Sequence, residues 1–167
     1  MSAAALPSNE AERLQALREL LILDTPPEQR FDRIVQFAAE EFDMPVAMLT
    51  LVDQDRQWSK SCVGVESCEI AREHAFCAHA ILLPEIMVVP DLQADPRFHD
   101  NPMVTDGPRV RFYAGAPIET QPGLRVGTLC LLDTQPRVLD ATERVILGTL
   151  RDLVQGELLG QALEPGP

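Results

Sequence analysis

The stretch EHAFCAHAI, running from Glu73 to Ile81, sets the thiol of Cys77 two residues from the imidazole of His79. A thiol near an imidazole suits three kinds of chemistry. It can be a cysteine nucleophile with its base, part of a metal-ligand set, or a covalent anchor for a chromophore. Spacing discriminates once the segment is read as a helix. Each helical residue turns about 100°, so Cys77 and His79 point roughly opposite ways. Cys77 then shares an apolar face with Ala80 and Ile81, three and four positions on, and is expected in the core or in a pocket wall. His79 falls on the other side, nearer Phe76 and Leu82 or Leu83. A thiol-imidazole dyad is not expected, and no catalytic residue is assigned.

The cysteines are Cys62, Cys68, Cys77 and Cys130. No pair has the two-residue gap of a redox or zinc motif. They are expected as reduced thiols that pack as small apolar side chains. The set Cys62, Cys68, Cys77 and His79 can be written as a zinc site, but its spacing fits no common module, so no metal is assigned. Other candidates lie downstream. Asp91 ends a strand and Arg97 opens a helical turn, and strand ends that meet loops often carry sites; Asp91 could instead only brace its loop. Arg109, Arg111 and Tyr113 alternate, so they share one strand face. They could recognise an anion or lie on a solvated face. Trp58, the single tryptophan, reads as packing.

Composition narrows the function classes. The chain has 167 residues, 46% of them hydrophobic and 24% charged, ordinary values for one globular domain. Its formal net charge is −12, and its 14 basic residues (13 Arg and one Lys) form no stripe. Phosphate binding needs clustered cations, so nucleic acid is not expected as a partner, nor is an anionic membrane surface. No apolar run approaches the roughly 20 residues needed to cross a bilayer. The start, MSAAALPSNEAERL, has neither a basic leader nor an apolar signal core. A cytoplasmic location is expected.

These residues need elements to position them. NEAERLQALRELLIL carries leucines at helical spacing, with Asn9 and Glu12 as a capping box. TPPEQRFDRIVQFAAEEFD is a second helix, capped by Thr25 with Pro26 at its first position and Glu28 closing the box. Phe31, Ile34, Val35, Ala38 and Phe42 form its apolar face. PVAMLTLVD is apolar on both alternating faces and reads as a central strand. RQWSKSCVG, with polar residues mixed in, reads as its edge partner in a hairpin. IMVVPDL is a short strand stopped by Pro90, and DPRFHDNPMV opens a helical turn at Asp95. VRFYAGAPI and RVGTLCLLD form a hairpin through Pro122-Gly123. The last helix starts at Asp140, boxed with Glu143. This order predicts an α+β fold with a mostly antiparallel sheet, with residues 9–163 as the domain, 1–8 as an N-terminal tail and 164–167 as a C-terminal tail.

The motifs PVAMLTLVD, RQWSKSCVG, AFCAHAI, VVPDLQADPRFHDNPMV, VRFYAGAPI and VGTLCLLD, in this order and spacing, resemble the GAF domain. The subgroup they resemble is the one found in bacterial sensor histidine kinases and diguanylate cyclases. The resemblance runs from about Glu10 to Leu159. It implies a PAS-related central antiparallel sheet of five or six strands, with terminal helices on one face and a pocket-forming helix and loops on the other. It also implies an unknown small-molecule ligand, with no cofactor specified, and a possible kinase or cyclase output domain. By resemblance, His74 borders the pocket. The expected ligand-contact set is His74, Phe76, Cys77, Asp91, Arg97, Phe98, Arg111 and Tyr113. Bilin-binding relatives hold their chromophore on a cysteine next to a histidine, whereas Ala78 separates the two here. The cyclic-nucleotide branch carries an asparagine-lysine-phenylalanine and aspartate-glutamate signature that this chain lacks. A regulatory sensor is therefore the leading function class. A cysteine-dependent enzyme of the free methionine-R-sulfoxide reductase type and a ligand-free dimerisation module are the alternatives.

The terminal helices carry more apolar residues than one sheet face needs. Ile146, Leu150 and Leu153, and Leu147, Val154 and Leu158, make two adjacent stripes. Leu14, Leu17, Leu20, Leu21 and Leu23 add a similar excess near the start. An excess of this kind must be buried somewhere. A homodimer through the terminal helices is expected, with burial of the two helices against each other within one chain as the alternative.

Overall fold

The segment read as a central strand lies in the middle of a six-stranded antiparallel sheet. In the computed structural model, which describes residues 3–65 and 69–163, helices α1 (Glu10–Glu19) and α2 (Gln29–Glu41) lead into β1 (Val46–Val52) and β2 (Arg56–Val63). Next come β3 (Glu69–Ala71), a 3₁₀ turn (Arg72–His74), α3 (Cys77–Ala80), β4 (Met87–Val89), a second 3₁₀ turn (Leu92–Ala94) and α4 (Pro102–Thr105). The hairpin β5 (Phe112–Gln121) and β6 (Leu124–Asp133) and the long helix α5 (Ala141–Leu163) complete the chain. The strand order is β3-β2-β1-β6-β5-β4. Cys68 and the tail 164–167 lie outside the described residues.

Alternation along the strands separates two cores. Ala47, Leu49 and Leu51 of β1, Phe112, Ala114 and Ala116 of β5, and Leu129 and Leu131 of β6 face α1, α2 and α5. Met48 and Val52, Tyr113, and Cys130 and Leu132 face the opposite way, toward α3 and the loops around Phe98 and Val104. Both edge strands have three residues, too short to template pairing with another chain.

Local signals set several boundaries as expected. At α5 the box closes reciprocally: Glu143 N–H donates to Asp140 Oδ1 at 2.7 Å and Asp140 N–H to Glu143 Oε1 at 3.0 Å. The β5–β6 turn passes through Gly123 at φ +85°, a left-handed conformation that glycine adopts without a Cβ penalty. The turn at Asp95 is capped by its own carboxylate, which accepts from Arg97 N–H at 2.8 Å.

Four expectations are corrected. Asn9 does not box with Glu12; its amide donates to Gly123 O in the β5–β6 turn, 2.9 Å away. Helix α2 begins at Gln29, not after Thr25, because Pro27 biases Pro26 away from helical backbone. Thr25 instead donates to Ile22 O at 2.5 Å and accepts from Lys60 Nζ at 2.7 Å. Strand β2 is not an edge, since β3 pairs along its outer side. Helix α1 ends at Glu19, so Leu21 and Leu23 lie beyond it; Leu21 takes φ 53° and is 83% exposed.

The stripes on α5 also divide differently. Leu147, Leu150, Val154 and Leu158 are buried against the sheet within the one chain. Ile146 is half-buried, while Val145 and Leu153 are 68% and 53% exposed. Among the described residues, the exposed large apolar side chains of this helix are Val145 and Leu153, and Leu150 belongs with the core.

Candidate functional site

Cys77 is inside. Its thiol, 1% exposed as a residue, is ringed by side chains from three strands. Thr50 of β1 donates to Sγ at 3.2 Å, Tyr113 of β5 at 3.2 Å, and Thr128 of β6 lies at 3.1 Å. The thiol of Cys77 in turn points to Cys130 Sγ, 3.9 Å away on β6. Thr50 and Thr128 are also 3.0 Å apart. Burial pushes the Cys77 thiol up, and its hydrogen bonds with Cys130, Thr128, Thr50 and Tyr113 outweigh it and bring it to about 7. The bond to Cys77, burial and the charge of Cys77 push Cys130 up. All five side chains find partners within the group, which makes it a closed buried network.

His79 stands apart from that network, as helical spacing requires. Its ring packs edge-on against Phe98 with centroids 4.8 Å apart. Its Nε2 is buried and finds no partner among the described residues. Burial, and then the charge of Arg97, push its pKa down, so it stays neutral at pH 7.

The expected contact residues separate into two groups. Phe76, Cys77, Phe98 and Tyr113 meet in the core beneath α3, with Phe76 5.3 Å from Phe98 and 5.6 Å from Tyr113 between ring centroids. The other four surround it. Asp91 braces the second 3₁₀ turn by accepting from Gln93 N–H at 3.0 Å. Arg97 pairs with Asp95 at 2.9 Å and covers the Phe98 ring. Arg111 spends Nη1 on the carbonyls of Val104 and Val110, at 2.9 and 3.2 Å. His74 is partly exposed beside Glu73, 3.7 Å away. Arg109 is exposed and takes φ 61°, which breaks the strand alternation before β5 begins. The shared face drawn from Arg109, Arg111 and Tyr113 is therefore not formed.

The open space lies at the other end of this face. A cavity of about 230 Å³ is bounded by Val46 and Met48 of β1, Gln57 and Ser59 of β2, Ile70 of β3, Met103 of α4, Val110, and Leu132 and Asp133 of β6. None of the eight expected contact residues lines it. Gln57 and Ser59 are each 5% exposed. The polar residues of RQWSKSCVG suggested an edge strand, and two of them, Gln57 and Ser59, instead face this cavity. The polar residues of the strand were the available signal; β3, which pairs with Arg56, Gln57 and Trp58, brings Ile70 to the wall opposite them. Among the described residues, Ser59 Oγ finds only Met48 Sδ, at 3.8 Å, and Gln57 Oε1 has no partner.

This two-faced sheet with a cavity opposite its terminal helices matches a known architecture. The GAF domain model fits residues 26–158. The chain belongs to the GAF domain family. GAF domains are in general sensory, ligand-binding regulatory modules. A cyclic di-GMP phosphodiesterase of Pseudomonas aeruginosa is 38% identical over 137 residues, 82% of this chain and 23% of that protein. The chain thus spans under a quarter of that relative's length. Among solved structures, the GAF domain of a phosphoenolpyruvate-protein phosphotransferase from Coxiella burnetii superposes with a TM-score of 0.66 at 17% identity, covering 94% of this chain and 99% of that one. A free methionine-R-sulfoxide reductase from Neisseria meningitidis, solved with its substrate, gives 0.61 at 20% identity over 97% and 99%. At such identities the likeness is one of fold. Among the described residues, no cluster of three or more His, Cys, Asp or Glu side chains is placed to hold a metal ion, and no helix is long and apolar enough to cross a membrane.

Proposed function

We propose that this GAF domain is a non-catalytic cytoplasmic sensor that binds a small molecule in the cavity between β1, β2 and β6 and passes occupancy through the sheet to its terminal helices. The observation that carries this reading is the alternation of β1 and β6. Met48 and Leu132 border the cavity, while their chain neighbours Leu49 and Leu131 pack on the helix face. A shift of either strand on binding must displace both cores, since packed interiors do not deform continuously. The 38% relative supports a setting beside an output domain that handles cyclic di-GMP, and a kinase is the other expected output. The domain works as a homodimer in which exposed Val145 and Leu153 extend the interface along α5. Freshly purified protein under native mass spectrometry is expected to run as a dimer carrying a small molecule. Met48→Trp, which fills the cavity, is expected to lose the small molecule. Val145→Glu with Leu153→Glu is expected to give a folded monomer. A wild type that is monomeric at every concentration sinks the dimer, and a ligand retained by Met48→Trp sinks the cavity.

The thiol pair supports a second reading, cysteine-dependent reduction of free methionine sulfoxide. Against it stands the closed network around Cys77, whose sulfur does not border the cavity. Cys77→Ala is expected to cost about 1–3 kcal/mol in chemical denaturation, because three hydroxyls lose a shared partner. The wild type is expected to show no turnover of free methionine sulfoxide. Turnover that disappears in Cys77→Ala or Cys130→Ala would move the protein to the enzyme class.

A further inference from the structure

We propose that a second copy of this chain docks on the face that α2 and α5 present together, with α2 lying antiparallel on the partner's α2 and Phe37 at the crossing. This rests on the reading of the domain as a homodimer and adds which helices meet and in which direction. A single stripe of the 23-residue α5, about 35 Å long and about 10 Å wide, covers under half of the roughly 800 Å² that each partner gives to a stable interface. The surface that completes it lies on α2.

The two helices run antiparallel within one chain. Arg30, at the start of α2, donates to Glu157 O near the end of α5 at 2.9 Å. Arg137, just before α5, donates to Phe42 O and Asp43 O past the end of α2, at 2.7 and 3.1 Å. Arg30, Ile34 and Phe37 follow helical spacing, so they share the stripe of α2 that lies beside α5. Leu153 and Glu157, four apart, share the stripe of α5 that lies beside α2. Phe37 comes seven residues after Arg30, and Leu150 seven before Glu157, so Phe37 stands level with Leu150 and the exposed Thr149. Ile34 and Ile146 are half-buried, while Phe37 is 50% exposed, Leu153 53% and Val145 68%. One apolar patch thus spans both helices, and an aromatic side chain near its centre is the usual anchor of an interface.

Charge selects the occupant and its direction. Arg33 and Glu41 stand four residues before and after Phe37, one helical turn each way. Both are exposed, and neither has an ion pair among the described residues. The acids of α5 near the patch are already engaged, Asp152 with Arg151 at 2.8 Å and Glu157 with Arg30 at 3.5 Å. An antiparallel pair of α2 helices centred on Phe37 sets Arg33 against the partner subunit's Glu41, and the two-fold axis repeats the pair. The same axis passes level with Thr149 and sets Val145 against the partner subunit's Leu153. A parallel pair would set Arg33 on Arg33 and Glu41 on Glu41, which repels. Laid on the partner's α5 instead, α2 would bring Arg33 to acids that are already held. Exposed ion pairs add little affinity, so the apolar patch holds the copies together and the charges fix their direction.

Analytical ultracentrifugation of the full chain over a concentration series, with circular dichroism of each variant, tests this. The wild type is expected to be a dimer. Phe37→Ser is expected to keep the native spectrum and to weaken the dimer on the order of a hundredfold, since each dimer loses two anchors. Arg33→Glu and Glu41→Arg are each expected to weaken it about tenfold by setting like charges together at two places, and the two changes combined are expected to restore wild-type affinity. A wild type that is monomeric at every concentration overturns this face together with the dimer, and leaves the patch to a different partner. A dimer that Val145→Glu with Leu153→Glu dissociates, and that Phe37→Ser leaves unchanged, overturns the share given to α2 and keeps the dimer. Charge variants that leave the affinity unchanged, or that the combined exchange does not restore, overturn the antiparallel direction.

Discussion

Val154→Glu is expected to unfold the domain, while the same change at its neighbour, Leu153→Glu, is expected to leave the fold intact. Val154 is fully buried in the core that α5 and α2 form against the sheet, whereas Leu153 is 53% exposed. An ionised carboxylate at position 154 would have no partner among the apolar side chains around it. Burying such a charge costs several kcal/mol, comparable with the roughly 5–15 kcal/mol that stabilises a domain of this size. An exposed apolar-to-polar change normally stays within about 0.5 kcal/mol. Circular dichroism with urea denaturation distinguishes the two. A Val154→Glu protein with a native spectrum and a wild-type midpoint would show that α5 does not cover the sheet through this stripe. The contrast also sets the terms for testing assembly. Glutamate at Leu150 or Val154 destroys the protomer, so it cannot report on a dimer, whereas Val145 and Leu153 can.

The second large effect centres on Glu10. Its carboxylate is held by Arg13 at 2.8 and 3.0 Å and by Arg72 at 2.5 and 3.2 Å. Arg13, 1% exposed, also donates to Val52 O at 2.7 Å, and Arg72 to Asp53 O at 3.0 Å. One carboxylate therefore joins α1 to the end of β1 and to the 3₁₀ turn that precedes α3. Glu10→Ala strands two buried guanidinium groups and is expected to cost about 3–5 kcal/mol in denaturant unfolding.

The same group makes the fold acid-sensitive. Burial raises the Glu10 pKa, but the hydrogen bonds and charges of Arg13 and Arg72 outweigh it and lower the value from 4.5 to about 2. A carboxyl whose folded value lies below its unfolded one contributes stability above the unfolded value. That contribution is lost as the pH falls through the folded value. The window is pH 4.5 down to 2, and the loss there is about 2 kcal/mol after allowance for solvent at the network's edge. Glu10→Gln starts lower and is expected to fall less steeply across that window. Parallel curves for the two proteins would remove Glu10 as the source.

What the sequence determined by itself lies within a few residues of chain. The Asp140–Glu143 box, the Pro122-Gly123 turn and the divergence of Cys77 from His79 are set by backbone geometry over one to four positions, so they were legible without a fold. The two-sided apolar run of β1 marked a strand covered on both faces, and the order of six motifs carried the family. Tertiary structure decided everything that depended on which segments meet. The amide of Asn9 reaches Gly123 O, 114 residues away, instead of capping its own helix. Gln57 and Ser59 read as part of an edge strand, and instead they line a cavity bounded by Ile70 of β3 and Met103 of α4. The hydroxyls that surround Cys77 come from Thr50, Tyr113 and Thr128 on three strands. Periodicity reports which way a side chain points. It does not report what stands opposite, and a cavity or a buried network consists of what stands opposite.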